Sequence, residues 1–238
     1  MPVQTGLFQF RGTMGGVTVD RNGIAKMAPQ PRQITADRTK ENNKEFGIAA
    51  KQARVIRSAL APLQIASRLL PSRLTKQVRE GISLDNSNAR GKRILSKREA
   101  TIVLPGFQIS EVGTLESIGN LIATVINGQL TVQKVGGGSL TKPDFRVPEG
   151  ATDIQIAALV AKININPSVL QVLDIQTTLS TENQNGEIVL PPVPVVSNQN
   201  ADVITIAAVA VRFFQEVNGL LYPLNNRAFD VGKIIAVV

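Results

Sequence analysis

The stretch VGGGSLTK, residues 135–142, has the glycines and the lysine that a phosphate-cradling loop uses: backbone amides point at the anion and an ammonium neutralises it. It lacks the closing Gly-Lys-Ser/Thr, and no long helix follows whose N-terminus could hold phosphate, so it reads as a loop. RGTMGG, residues 11–16, is also glycine-rich, but no strand–glycine–helix unit surrounds it. Asp144, Glu149 and Asp153 lie close in sequence, yet a calcium loop needs a denser alternation of oxygen donors. Serine, lysine and aspartate are present, but no nucleophile elbow arranges them. The 238 residues contain no Cys and no His, which removes thiolate zinc sites, thiol nucleophiles and imidazole catalysis. The expectation is a protein that is not an enzyme and takes no cofactor, metal or small-molecule substrate.

Cations are the one chemically active side chain that clusters. Residues 1–100 hold 19 Lys and Arg against 7 Asp and Glu, a net +12; residues 101–238 hold 7 against 11, a net −4. A segment that basic repels itself and needs counter-charge. Phosphate is one source, and contact with nucleic acid would then be non-specific and steeply salt-dependent. The acidic half of another copy is a second source, and such head-to-tail contacts repeat or close a ring. A solvated basic face is the plain alternative. The residues expected to contact another subunit or a polyanion are Lys40, Lys44, Ile48, Lys51, Arg54, Val55, Arg57, Arg68, Arg73, Lys76, Arg79, Arg90, Lys92, Arg93, Lys97 and Arg98.

The elements that would carry them follow from periodicity. Residues 7–28 read as extended, with Gly12, Gly15 and Gly16 loosening the chain and Asn22-Gly23 as a type I′ hairpin turn. PQPRQITAD, 29–37, reads as a linker. A helix capped by Thr35 or Thr39 runs to just before Pro62, with Phe46, Ala49, Ala53, Ile56, Leu60 and Leu63 spaced 3 and 4 apart as one buried stripe. Ile48, Val55 and Ala59 form a second apolar strip, suited to a helix wedged between two surfaces. With Phe46 in the stripe, aromatic platforms for stacking nucleic-acid bases are nearly absent, and single-strand base stacking is not expected. A second helix spans 72–80 and stops at Gly81, and 85–100 reads as a basic loop that folds only against a partner.

From Thr101 onward the period is that of strands. Asn127-Gly128 in LIATVINGQLTVQ marks a two-residue hairpin; further strands are read at 151–166, 168–180, 186–190, 202–217 and 232–238, with LPPVPVV as an edge or connector. Both faces of 154–161 and 203–211 are apolar, so the outer face must be covered, by the 38–80 helices of the same chain in preference to a neighbour. The expected fold is mainly β, α+β overall: an antiparallel immunoglobulin-like β-sandwich over 101–238, preceded by an N-terminal hairpin and basic helical arm over 1–100.

The order RGTMGGVTV, DRTKENNKEFGIAAKQARVIRSAL, LPGFQIS, FRVPEGATDIQIAALVA resembles a family of Bacteroidota proteins with a glycine-rich basic start, an Arg-rich helix containing a Phe, and a β-rich remainder with an IPAGATH-like step. Here that step is VPEGATD, without the His, and PQPRQITADRT stands where relatives show an Asn-Pro-x-Thr segment. The resemblance implies the architecture and supplies no activity and no catalytic residue. No signal peptide and no span of about 20 apolar residues is read, which points to cytoplasmic synthesis and an end point in a virion or extracellular assembly. The expected function is a structural subunit of a homo-oligomer: a filament, tube or phage-like particle. Nucleic-acid binding or packaging by the basic half is the alternative.

Overall fold

The computed structural model describes residues 12–20, 22–28 and 36–238. Two compact units divide the chain, Met1–Lys40 and Glu41–Val238. The expectations for 7–11 and 29–35 fall outside the described residues. In the first unit, β1 (Gly12–Met14), β2 (Val17–Val19) and β3 (Ala25–Met27) form an antiparallel meander. Gly15 and Gly16, at φ 58° and 80°, are the turn between Met14 and Val17 rather than a loosening of the chain. Around Asn22-Gly23 the connection is built on Asp20, whose carboxylate accepts from the amides of Asn22 and Ile24 at 2.8 and 3.0 Å.

The second unit is β-rich α+β, as its composition of strands and helices requires. Its spine is a pair of long antiparallel strands, β7 (Asp153–Asn164) and β11 (Val203–Val217), in register from Asn164↔Val203 to Asp153↔Phe214. β8 (Gln171–Ser180) flanks β7. Beyond β11 lie both β12 (Leu220–Pro223) and β13 (Val231–Val237). Side chains alternate across this sheet, and on β7 and most of β11 both faces are buried. Ala157, Leu159, Ala161, Ile163, Ile204, Ile206, Ala208 and Ala210 pack on helices α1 (Asp37–Leu60), α2 (Leu70–Leu84) and α3 (Lys97–Val103). Ile154, Ile156, Ala158, Val160, Ala207, Val209, Val211 and Phe213 pack on the other side. There they meet α4 (Leu115–Ile118) and a small sheet of β4 (Leu121–Ile126), β5 (Gln129–Lys134) and β10 (Val193–Pro194), with β6 (Leu140–Thr141) and β9 (Glu187–Ile188) paired beside it.

The doubly apolar strands are therefore covered within the chain, by its own helices. The layering is helices, one large sheet, one small sheet; the strand order is not that of an immunoglobulin-like sandwich. The helices share a core with the sheet, since Ile56, Leu74, Ile82 and Leu95 belong to the same apolar cluster as Leu159 and Ile206. Asn127 and Gly128, both at positive φ, close the β4–β5 hairpin as expected. β10, with Pro194, is an edge strand.

Three local expectations are corrected. Strands begin at Leu121, not Thr101: Ser96 and Glu99 form a capping box, with the Ser96 amide donating to Glu99 Oε2 at 3.2 Å, and α3 follows. Gly81 does not stop α2. It lies inside it, where a Cβ would run into the Leu95 side chain, so glycine permits close approach of α2 to the following segment. Residues 85–100 fold on their own chain. The buried Asp85 carboxylate accepts from the amides of Ser87, Asn88 and Ile94, and Leu95 is fully buried.

Candidate interaction surface

The cations expected to act together divide into two groups. Arg73 donates to the carbonyls of Ser110 and Gln108 at 2.6 and 2.8 Å and lies 5.4 Å over the Phe107 ring, so it ties α2 to the segment after α3. Lys97 donates to the Asn198 carbonyl at 2.8 Å, and Arg90 pairs with Glu41 and Asn42. Arg93 is half-buried, and Lys40 pairs with Asp37 on the first turn of α1. Lys44, Lys51, Arg54, Arg68, Lys76, Arg79, Lys92 and Arg98 are exposed, and Arg57 is half-exposed; among the described residues these make no ion pair. Ile48 and Val55 are corrected: both pack against the core beneath the helices, and Ala59 is fully buried, so α1 has no second outward strip.

Phe46 is also corrected. It is 51% exposed, because the core-facing stripe of α1 starts at Ala49. The position between Ala49 and Ala53 that does go inside is polar: Gln52 is fully buried. Phe46, Ala50, Pro71, Ser72, Thr75, Lys76 and Arg79 line a hollow of 390 Å³, and Ala50, Ala53, Arg54, Arg57, Pro71 and Thr75 line one of 200 Å³. Ala50, Pro71 and Thr75 belong to both, so the two form one groove between α1 and α2 with an apolar floor and cations at each end.

Two apolar surfaces went unread in the sequence. β8 pairs with β7 on one side, and among the described residues no strand pairs with its other side. Leu173, Ile175 and Leu179 are exposed on it, and Asp174 is its one charge. The signal was available in SVLQVLDIQTTLS, which alternates poorly for a strand with a wet face. The second surface is the β11–β12 hairpin, which closes through Asn218-Gly219. Val217, Leu220, Leu221 and Tyr222 are all exposed around it. Asp153 pairs with Phe214 at its base, and the Glu216 amide donates to Thr152 Oγ1 at 2.7 Å, which brings Asp153 and Glu216 together on one end of the sheet.

Several carboxylates elsewhere are engaged in the fold. Asp144 is held below its ordinary range by the Lys134 ammonium at 2.6 Å and by the Thr141 amide and hydroxyl. Burial raises Asp230 and lowers Arg212. Among the described residues no three carboxylates converge as a metal site, and no helix is long and apolar enough to cross a membrane. Comparison of the chain with protein families, curated proteins and solved structures finds no match.

Proposed function

We propose that this protein is a non-enzymatic structural subunit of a self-assembling homo-oligomer, a filament, tube or phage-like particle. The observation that carries the reading is the uncovered β8 edge. A ten-residue edge strand with three exposed aliphatic side chains and one charge is a template for pairing with another strand. Monomeric sheets blunt such edges with lysine, proline or bulges; here β8 carries no lysine or proline, and its single bulge, at Leu173, leaves Asp174–Ser180 as a regular edge. β8 is also compatible with its own copy. A two-fold antiparallel pairing centred on Gln176 uses the regular stretch after the bulge at Leu173 and sets Ile175 opposite Thr177 and each Asp174 opposite a Thr178, so like charges do not meet.

The test is light scattering on nuclease-treated protein across a concentration series. Assembly is expected, and Ile175→Lys with Leu179→Lys shifts it toward smaller species, since both positions are exposed and tolerate charge. Single chains at every concentration would sink the proposal. Nucleic-acid binding is the second reading, and one observation favours it: Phe46 is exposed beside Lys76 and Arg79, so an aromatic platform stands among free cations. A gel shift by a strictly monomeric protein, lost at high salt, would favour that reading over assembly.

A further inference from the structure

We infer that the β11–β12 hairpin of one copy seats in the α1–α2 groove of the next, a head-to-tail contact that extends the assembly. This rests on the assembly reading above and names its second interface. The β8 pairing is two-fold and closes on itself as a dimer. The hairpin and the groove are different surfaces of the same unit, so their contact is heterologous and propagates.

The two surfaces match in chemistry. The groove has an apolar floor that includes Phe46 and Pro71, and cations at both ends, Arg54 with Arg57 and Lys76 with Arg79. The hairpin presents Val217, Leu220, Leu221 and Tyr222 to solvent, with Glu216 beside them and Asp153 at the base. A tyrosine is a frequent anchor of interface centres, the two exposed leucines beside it add apolar area to bury, and opposite rim charges align the surfaces. Both surfaces are exposed in one and the same chain, with Phe46 and Leu221 each about half accessible, so the hairpin does not cover the groove of its own copy. Net charge follows the same polarity, basic in residues 1–100 and acidic in 101–238. The turn Asn218-Gly219 has both residues at positive φ, which fixes the hairpin as a formed, presentable tip.

The experiment uses the full chain carrying Ile175→Lys and Leu179→Lys, which removes the two-fold contact and leaves the head-to-tail one. In that background two further variants are made. One disables the groove with Lys76→Glu and Arg79→Glu; the other disables the hairpin with Leu220→Asp and Leu221→Asp, so that the two altered surfaces repel each other. All four positions are exposed, and far-ultraviolet circular dichroism with thermal melting checks that each chain folds. Expected is concentration-dependent growth of the parent, single chains for each variant alone, and a one-to-one complex of two chains when the variants are mixed. In the mixture one intact hairpin meets one intact groove and nothing further can add. Three outcomes overturn the inference: variants that associate as well as the parent, a mixture that stays as single chains, or a groove variant whose only loss is binding of an added oligonucleotide. Failure of the assembly reading is a different result, a wild-type chain that never associates.

Discussion

The side chain of Gln52 holds both backbone polar groups of Leu95: its Nε2 donates to the Leu95 carbonyl at 3.1 Å, and its Oε1 accepts from the Leu95 amide at 3.2 Å. The same Nε2 donates to the Ile165 carbonyl at 2.7 Å. One fully buried amide thus fastens α1 to the segment before α3 and to the end of β7. A segment rich in Asn, Arg and Lys is fixed in place because its backbone finds partners inside.

Gln52→Leu keeps the size of the side chain and leaves those three backbone groups unpaired. Each unpaired buried group costs about 1–3 kcal/mol, so a loss of about 3 kcal/mol in unfolding free energy is expected. Urea denaturation reads it as a lower midpoint with unchanged slope.

Gly81→Ala tests the close approach of α2 to Leu95. In an open helix the change would gain about 1 kcal/mol. Here the new methyl enters a filled space between Leu95 and Val103, and overpacking of this kind costs about 1–3 kcal/mol. A lower melting temperature is expected; a higher one would show that the helix has room.

Arg73 and Arg79 lie on the same helix with different duties. Arg73→Ala removes two hydrogen bonds to carbonyls and a stack on Phe107, and is expected to cost about 2 kcal/mol. Arg79→Ala changes stability by less than about 0.5 kcal/mol, as an exposed cation without a partner should. Chemical denaturation of the two variants side by side gives the comparison.

Asp85 sets a pH dependence. Burial alone would raise its carboxyl, but hydrogen bonds from the Asn88 side chain and the Ile94, Ser87 and Asn88 amides outweigh that and hold it below 3.8. The folded state therefore binds this proton more weakly than the unfolded state. The stability it contributes is fully present above the ordinary value and is lost as the pH falls from 3.8 through the lower folded value. Glu111, Glu116 and Asp144 are lowered too and add to the same acid slope. Asp85→Asn should be less stable near neutrality and show a shallower decline below pH 4 than the wild type, measured by denaturation at a series of pH values.

Much of this protein is decided locally and is legible in the chain. The 3-and-4 spacing of apolar residues marks α1, whereas β7 and β11 are marked by β-branched runs apolar on both faces and bounded by turn residues. Asn127-Gly128 closes its hairpin with both residues at positive φ, a conformation that Asn and Gly adopt at little cost. The absence of Cys and His excludes whole classes of chemistry at once. The tertiary structure decided what each face meets. Phe46 continues the spacing of the α1 stripe but falls beyond the reach of the sheet, so it is exposed. Gln52 breaks that spacing but meets three unpaired backbone groups, so it is buried. Gly81 reads as a helix stop until Leu95 is known to press on it. Arg73 and Arg79 are alike in sequence and differ only in whether a carbonyl lies within reach. Partners distant along the chain set these outcomes, and spacing within one segment carries no record of them.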